Sequence, residues 1–217
     1  ATTEAGATAI SERMAAIGGI GKTLNVTDGA AVEALIDSIT SEFGTISILV
    51  NNAGITRDQL LMRMKDDDWS AILDTNLSSV FRTSKAVMRS MMKARKGRII
   101  NIASIAGLGG NPTAMKTIAY NTSKGAVINF TRALAAEWGV YGINVNTICP
   151  GFFKTKMAAV LIETLGEFIV KLLFDEFGAP WVKLAIAKIG VMKGVRRVGV
   201  FIQRARNGVE QIGRAHV

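Results

Sequence analysis

Residues 46–54 read ISILVNNAG, an apolar run that ends abruptly in polar and small residues, and this stretch decides the fold. A short apolar run closed by a turn signal is typical of a strand buried inside a parallel sheet. Similar runs follow at residues 98–103, which read RIINIA, and at residues 143–149, which read INVNTIC. The sequence therefore predicts at least three buried strands.

Helical patterns alternate with these strands. Apolar side chains recur at helical spacing in residues 27–43, 66–92 and 119–138, and a further helix is predicted at residues 8–16. Residues 22–26 add a short strand candidate. Because strands separated by helices of this length form parallel βαβ units, we expect an α/β fold. Its core would be a doubly wound parallel sheet covered by helices on both faces.

The composition limits the chemistry that the chain can perform. Its 217 residues are 49% hydrophobic and 20% charged, which suits one packed domain. The chain has a single cysteine, Cys149, and a single histidine, His216. These counts argue against disulfides, zinc sites, serine–histidine–aspartate triads and histidine-built metal centres. We therefore predict no metal, and chemistry based on serine, tyrosine, lysine, asparagine or carboxylates.

The charge and hydropathy of the chain restrict its partners. The net charge is +9, and more than half of it falls in residues 165–217, where a surface for nucleic acid or anionic membrane would have to lie. The sequence shows no signal peptide and no apolar run long enough to span a membrane. We therefore predict a cytoplasmic protein that binds neither nucleic acid nor membrane.

Four polar residues are candidates for chemistry. Tyr120 and Lys124 are four residues apart on one predicted helix, so the ammonium can approach the phenol and favour its ionisation. Ser104 directly follows a predicted strand, where open α/β sheets place their ligands, and Asn76 lies inside a predicted helix. Each has an ordinary interpretation too: a surface tyrosine, a solvated lysine, a capping serine and a solvated asparagine.

These residues and the segments around them resemble the short-chain dehydrogenase/reductase family. The matching elements occur in the family's order: NNAG at 51–54, Asn76, Ser104, YNTSK at 120–124 and PG at 150–151. The resemblance covers residues 1–169. Residues 1–100 are similar to the family's 3-oxoacyl-[acyl-carrier-protein] reductases, and residues 102–169 to its gluconate-5-dehydrogenase-like members.

The resemblance implies a Rossmann-type fold and hydride transfer between a nicotinamide cofactor and a ketone or secondary alcohol, with NADP(H) favoured over NAD(H). Tyr120 would act as general acid or base, Lys124 would lower its pKa and hold the nicotinamide ribose, and Ser104 would polarise the carbonyl. Asn76 would hold a water in the proton relay. The implied cofactor contacts are Thr2, Asn25, Val26, Asn52, Ala53, Gly54, Tyr120, Lys124, Pro150, Gly151, Phe153 and Thr155.

The resemblance also implies a substrate and an assembly. The substrate would be a ketone, either a small molecule or one carried by acyl carrier protein, and the assembly a homotetramer. One of the two arginines that dock the carrier in those reductases matches Arg95, whereas the other position holds Tyr141. A sugar-acid dehydrogenase of the gluconate type is the alternative substrate class. An inactive fragment, or an interaction module with a basic tail, is the alternative from a different functional class.

Several segments of the family have no counterpart in the 217 residues. No residues match its opening strand, its glycine-rich turn or most of its second strand, and the glycines in residues 18–21 follow a helix rather than a strand. The family's closing segment is also missing after residue 169. Because the missing strands lie at the centre of the family's sheet, we predict a truncated sheet with an unpaired edge at residues 48–50.

The chain therefore divides into a partial nucleotide-binding domain, residues 1–169, and an atypical tail, residues 170–217. We interpret the tail as an out-of-frame or fused segment, and residues 211–217 resemble a translated sequencing adapter. Within the tail, residues 195–202 predict a strand in the family's seventh-strand position, beside residues 143–149.

Overall fold

A computed structural model of the chain describes residues 1–110, 115–151, 201–206 and 209–211. Its strands are β1 (Ile48–Asn51), β2 (Gly97–Ile102), β3 (Ile143–Cys149), β4 (Phe201–Arg206) and β5 (Val209–Gln211). Its α-helices are α1 (Glu4–Met14), α2 (Gly29–Phe43), α3 (Asp66–Leu73), α4 (Ser79–Ala94) and α5 (Ile118–Trp138). A π-helical turn, Asp74–Ser78, joins α3 to α4.

The sheet is parallel over β1, β2 and β3 and antiparallel beyond them. β1 pairs with β2, and β2 with β3, each in parallel register. Helix α4 connects β1 to β2, and α5 connects β2 to β3. β4 then pairs antiparallel with β3, and β5 with β4. Parallel strands linked through helices confirm the predicted α/β fold class.

Residues 22–26 do not form the predicted strand. The Leu24 N–H donates to the carbonyl of Ala1 at 2.7 Å. The side-chain oxygen of Asn25 accepts from the backbone N–H two residues further on, at 3.1 Å. Asp28 then caps α2 through its carboxylate. These turn and capping hydrogen bonds take the segment out of extended pairing.

A strand from the tail does lie beside β3, as predicted, but its bounds differ from the expectation. β4 begins at Phe201 and ends at Arg206, so it overlaps only the end of the predicted strand. Residues 195–200 lie outside the described residues. β4 runs antiparallel to β3, with Ile202 opposite Ile148.

The core lies between the parallel strands and the two helices α4 and α5. Burial alternates along β2 and β3, so one face of each strand packs on these helices. The main cluster consists of Val87, Met91, Ile99, Leu134, Trp138, Ile143 and Val145. Since both helices contribute to this one cluster, they cover the same face of the sheet. The prediction of helices on both faces is therefore not met within the described residues.

A chain of buried polar side chains crosses the sheet just below the carboxyl ends of its strands. Asn51 and Asn101 are register partners on β1 and β2, and the Nδ2 of Asn51 donates to the Oδ1 of Asn101 at 2.9 Å. On one side, the Thr83 hydroxyl of α4 donates to the Oδ1 of Asn51 at 2.7 Å. On the other, the Nδ2 of Asn101 donates to the Thr131 hydroxyl of α5 at 2.9 Å. The two helices are thus joined through the strands.

β1 forms an exposed edge of the sheet. Within the described residues its only neighbouring strand is β2, and its outward side chains Ile48 and Val50 are 55% and 53% exposed. The prediction that this strand is buried is therefore wrong, while the prediction of an unpaired edge at residues 48–50 agrees with the structure. An apolar strand edge without a partner is a template for pairing between molecules.

We expect the 217-residue chain to self-associate through β1. Replacing Val50 with lysine should shift most of the associated protein to monomer, because an inward or edge charge opposes strand pairing. Size-exclusion chromatography with light scattering measures the change. Ile17→Lys is the matched control, since Ile17 is 75% exposed but lies outside the sheet. A clean monomer that melts sharply above about 65 °C, the upper end for ordinary mesophile domains, would contradict this expectation.

Candidate active site

Ser104 and Tyr120 meet at the carboxyl end of β2. Ser104 follows β2 by two residues, and its hydroxyl accepts a hydrogen bond from the Ala106 N–H at 3.1 Å. Tyr120 lies in the first turn of α5, near enough to the Ser104 side chain for hydrogen bonding from that serine to act on the pKa of its phenol. The structure therefore brings these two sequence-predicted residues together.

Lys124 lies one helical turn beyond Tyr120 and points into the same region. Its ammonium is 5.7 Å from the centroid of the Tyr120 ring, and it donates to the carbonyl of Ile102 at 2.7 Å. The residue is only 5% exposed. Burial lowers the pKa of Lys124 to about 8, because a buried ammonium loses its hydration.

The pKa of Tyr120 moves in the direction opposite to the one expected from the Tyr120–Lys124 spacing. Burial raises it most, the negative charge of Asp58 raises it further, and the hydrogen bond from Ser104 acts to lower it. Lys124 directs its ammonium to a backbone carbonyl rather than to the phenol oxygen. Burial of Tyr120 therefore favours the protonated phenol, which is a proton donor.

Asn76 lies at the centre of the π-helical turn and is 1% exposed. Its Oδ1 accepts from the Ile55 N–H at 2.8 Å, and its Nδ2 donates to the Ile55 carbonyl at 2.9 Å. The Nδ2 also donates to the hydroxyl of Ser123 at 3.0 Å. The solvated interpretation of Asn76 is therefore wrong, and π-helical turns of this kind are frequent at functional sites.

The loop after β1 runs beside this cluster. A Cβ atom placed on Gly54 would lie 3.3 Å from the Oδ1 of Asn76 and 3.5 Å from the Nζ of Lys124. Asn52 and Ala53 are exposed next to it. The absence of a side chain at Gly54 lets the Asn76 carboxamide and the Lys124 ammonium lie close to the backbone of this loop.

The other predicted cofactor contacts are placed less closely around Tyr120. The carbonyl of Pro150 accepts from the Ile105 N–H at 3.0 Å, which sets residues 150–151 against the segment that follows Ser104. Thr2 is exposed before α1, and Asn25 and Val26 lie in the turn before α2. Phe153 and Thr155 lie outside the described residues.

Gly107 was not singled out from the sequence, yet it allows the segment after β2 to press against α5. A Cβ atom on Gly107 would lie 2.6 Å from the carbonyl carbon of Lys124 and 2.7 Å from the backbone nitrogen of Gly125. Contacts this short with backbone atoms cannot be relieved by a side-chain rotation. The only signal in the sequence is a pair of glycines, Gly107 and Gly125, on segments that meet after folding.

Replacing Gly107 with alanine should therefore destabilise the fold by about 1–3 kcal/mol, the usual cost of forcing extra volume into a packed site. The same change should loosen the contact between Ser104 and Tyr120. Denaturant unfolding measures the loss of stability. Gly109→Ala is the control, because a Cβ there meets nothing within 4 Å. Equal stability of the two variants would show that the segment is not held against α5.

The stability of the chain should rise with pH between about 8 and 9. The folded pKa of Lys124, about 8, lies below its unfolded value of 10.5, so in this range the unfolded chain binds the proton more tightly. Unfolding then takes up a proton, and raising the pH opposes it by up to about 1 kcal/mol. Burial raises the pKa of the Cys149 thiol above its ordinary value of 9.0, and above that pH this shift acts in the opposite direction and limits the window.

Lys124→Met should abolish this rise, because methionine keeps the side-chain length without a titrating group. Lys93→Met, an exposed position on α4, is the matched control and should retain it. Free energies of unfolding at pH 7, 8 and 9 give the comparison. A rise that persists in Lys124→Met would assign the pH dependence to a different group.

Within the described residues, no three or more histidine, cysteine, aspartate or glutamate side chains come together as metal ligands. In the same part of the chain, no helix is both long enough and apolar enough to cross a membrane.

A parallel sheet with helical crossovers and polar side chains gathered at the strand ends defines an α/β protein of the Rossmann class. The sequence profile described as short chain dehydrogenase matches residues 2–166. The chain therefore belongs to the short-chain dehydrogenase family, as the order of its motifs predicted.

One relative and two solved structures show which members of the family the chain is similar to. The 3-oxoacyl-[acyl-carrier-protein] reductase FabG of Escherichia coli K12 is 53% identical over 163 residues, which cover 75% of this chain and 65% of the relative. The chain thus spans slightly less than two thirds of that relative's length. A gluconate 5-dehydrogenase from Burkholderia cenocepacia, solved with NADP and tartrate, is 34% identical with a TM-score of 0.72, covering 79% of this chain and 68% of that one. ElxO with NADP bound is 33% identical with a TM-score of 0.70, covering 77% and 67%.

Proposed function

We propose that the chain is the catalytic part of a reductase that uses NADP(H) to reduce a ketone, or in reverse oxidises a secondary alcohol. The observation that carries the proposal is the gathering of Ser104, Tyr120 and Lys124 at the carboxyl end of β2, with the Lys124 ammonium 5.7 Å from the centroid of the Tyr120 ring. A proton donor, a second hydroxyl and a cation at one strand end are the groups that carbonyl reduction needs.

The division of roles is the one that the family resemblance implies, and the positions of the side chains support it. A ketone oxygen placed between the two hydroxyls would accept hydrogen bonds from both, so Ser104 would stabilise the developing alkoxide while Tyr120 transfers its proton. Lys124 would stabilise the tyrosinate that remains, because its charge lies within one helical turn. Asn76 would complete the set by fixing the backbone around a water in the proton relay. The proposed roles thus belong to the four residues of the predicted catalytic set, Asn76, Ser104, Tyr120 and Lys124.

The cofactor would supply the hydride. The residues present fit its nicotinamide half, since the Gly54 loop lies directly beside the Lys124 ammonium at the strand end that carries Tyr120. Tyr120, Lys124, residues 52–54 and residues 150–151 would hold this half. The glycine-rich turn that holds a dinucleotide pyrophosphate is not among the 217 residues. We favour NADP(H) over NAD(H) because two similar solved structures carry NADP.

A 3-oxoacyl thioester is the substrate class that we propose first. Its support is the 53% identity to a 3-oxoacyl-[acyl-carrier-protein] reductase, compared with 34% to a gluconate 5-dehydrogenase. Docking of the carrier itself has weaker support. The Arg95 guanidinium donates to the carbonyl of Val140 at 3.0 Å, and the next residue is Tyr141 where the second docking arginine is expected. A sugar acid remains the second substrate class.

The test requires the chain extended at its N-terminus with the family's opening strand and glycine-rich turn. Oxidation of NADPH and of NADH is followed by absorbance with a 3-oxoacyl thioester, the same acyl group on acyl carrier protein, and a keto-gluconate. We expect turnover with the thioester and NADPH, and less stimulation by the carrier than the E. coli relative shows. Preference for the keto-gluconate would reverse the substrate assignment, and no turnover with any ketone would overturn the proposed function.

The alternative from another class is an inactive fragment or an interaction module that uses a basic tail. Most of that tail lies outside the described residues, although β4 and β5 place part of it in the sheet. The division at residues 169 and 170, the homotetramer and the cytoplasmic location remain predictions. Light scattering of the extended chain tests the tetramer.

A further inference from the structure

The hydroxyl of Ser123 makes two hydrogen bonds, one within its own helix and one to a residue outside that helix. The residue lies on α5 between Tyr120 and Lys124 and is fully buried, with 0% exposure. Its hydroxyl donates to the carbonyl of Tyr120 at 2.7 Å and accepts from the Nδ2 of Asn76 at 3.0 Å. Serine in a helix ordinarily bonds only to a preceding carbonyl, so the second partner needs an explanation.

Both the oxygen and the nitrogen of the Asn76 carboxamide have hydrogen-bond partners. Its oxygen accepts from the Ile55 N–H at 2.8 Å, and its nitrogen donates to the Ile55 carbonyl at 2.9 Å as well as to Ser123. An amide nitrogen has two N–H groups, and each of them has a partner here. A continuous set of hydrogen bonds therefore runs from the loop after β1, through the π-helical turn, to the first turns of α5.

This set of bonds fixes the distance between the Gly54–Ile55 loop and the ammonium of Lys124. Ile55 directly follows Gly54, and the Cβ position of Gly54 is 3.5 Å from the Nζ of Lys124. Fixing both backbone groups of Ile55 therefore fixes the loop relative to Lys124. The Ser123 hydroxyl is the point at which the loop and the π-helical turn are attached to the helix that carries Tyr120 and Lys124.

We propose that Ser123 is a positioning residue that fastens the Asn76 carboxamide to α5 and thereby holds the Gly54–Ile55 loop against Lys124. The proposal rests on the proposed function in that it assigns Lys124 and this loop to one site. Its test, however, measures hydrogen exchange and does not depend on turnover.

The experiment uses the 217-residue chain and follows amide hydrogen exchange by nuclear magnetic resonance. In Ser123→Ala, one N–H of Asn76 loses its acceptor in a buried site, and the carboxamide can no longer hold Ile55 in place. We expect the Ile55 amide to exchange at least about tenfold faster, as for loss of one buried hydrogen bond. The amide of Val145, in the middle of β3, reports global unfolding and should change little.

Thr122→Ala is the matched control. Its hydroxyl also bonds to a preceding carbonyl, that of Ile118 at 2.9 Å, but the residue is exposed. Thr122→Ala should leave the exchange rate of Ile55 unchanged. If Ile55 and Val145 change by the same factor in Ser123→Ala, the serine supports only the fold as a whole and the proposal is overturned. If neither exchange rate changes, the Ser123 hydroxyl does not hold the Gly54–Ile55 loop, and the proposal is overturned as well.

A measurement on the unmutated chain covers the case in which Ser123→Ala does not fold. The two side-chain N–H protons of Asn76 should exchange slowly with solvent, whereas those of the exposed Asn129 should exchange fast. Comparable rates at the two residues would show that the Asn76 carboxamide is not held by Ser123 and Ile55.

Discussion

Tyr120→Phe should lower carbonyl reduction by about 10²–10⁴-fold in the chain extended with the family's opening strand and glycine-rich turn, because a positioned general acid contributes that much. The ring would keep its place in the first turn of α5, but the proton donor next to Ser104 would be gone. Steady-state turnover with a 3-oxoacyl thioester and NADPH measures the loss. The effect should fall on kcat rather than on binding of the cofactor.

The chain offers its own control for this prediction. Tyr141 is the only other tyrosine, and it lies in the short turn between α5 and β3. Tyr141→Phe should therefore keep nearly normal turnover. Lys124→Ala should remove activity or move it to higher pH, since the cation that stabilises the tyrosinate is lost. Near-normal turnover of Tyr120→Phe would exclude Tyr120 as the acid.

The unextended 217-residue chain should bind NADPH at least about 100-fold more weakly than the extended chain. A dinucleotide pyrophosphate is held by backbone N–H groups at a helix N-terminus that follows a glycine-rich turn, and the 217 residues contain no such turn. The glycines in residues 18–21 do not replace it. Gly18 has a positive φ of 69° and ends a short helical turn after α1.

Titration of nicotinamide fluorescence with each chain measures the difference in affinity. Gly18→Ala provides a check, because it should leave the weak binding of the 217-residue chain unchanged. Saturable binding of NADPH by the unextended chain in the low micromolar range, as enzymes commonly bind substrates, would contradict the prediction. It would also mean that residues in the described part of the chain hold the pyrophosphate by another arrangement.

Local sequence pattern was sufficient to predict the elements that depend on continuous apolar runs. β3 has the predicted bounds, Ile143–Cys149, and β2 is shifted by one residue to Gly97–Ile102. The motif order placed Ser104, Tyr120 and Lys124 together. All three residues follow β2: Ser104 lies two residues beyond its end, and Tyr120 and Lys124 share one face of the next α-helix. The site prediction therefore depended on short-range relations, which a local pattern contains.

Other features depend on contacts that a local pattern does not contain. The π-helical turn around Asn76 follows from hydrogen bonds to Ile55 and Ser123, 21 and 47 residues away. The exposure of Ile48 and Val50 depends on which strands lie beside β1, and an apolar run alone does not carry that information. The raised pKa of Tyr120 results mainly from burial, and the lysine predicted to lower it directs its ammonium to the carbonyl of Ile102 instead.

The hydrogen-bonded side chains of Asn51 and Asn101 affect the register in which β1 and β2 pair. If β1 slipped along β2 by one residue, the Asn51 amide would turn to the opposite face of the sheet, and its hydrogen bonds to Asn101 and Thr83 would be lost. An unsatisfied buried polar group costs about 1–3 kcal/mol, whereas aliphatic side chains alone would tolerate the shift. The asparagines therefore select one alignment among several that would bury the apolar side chains equally well. During folding, they would reject the misaligned sheets before the site at its edge is assembled.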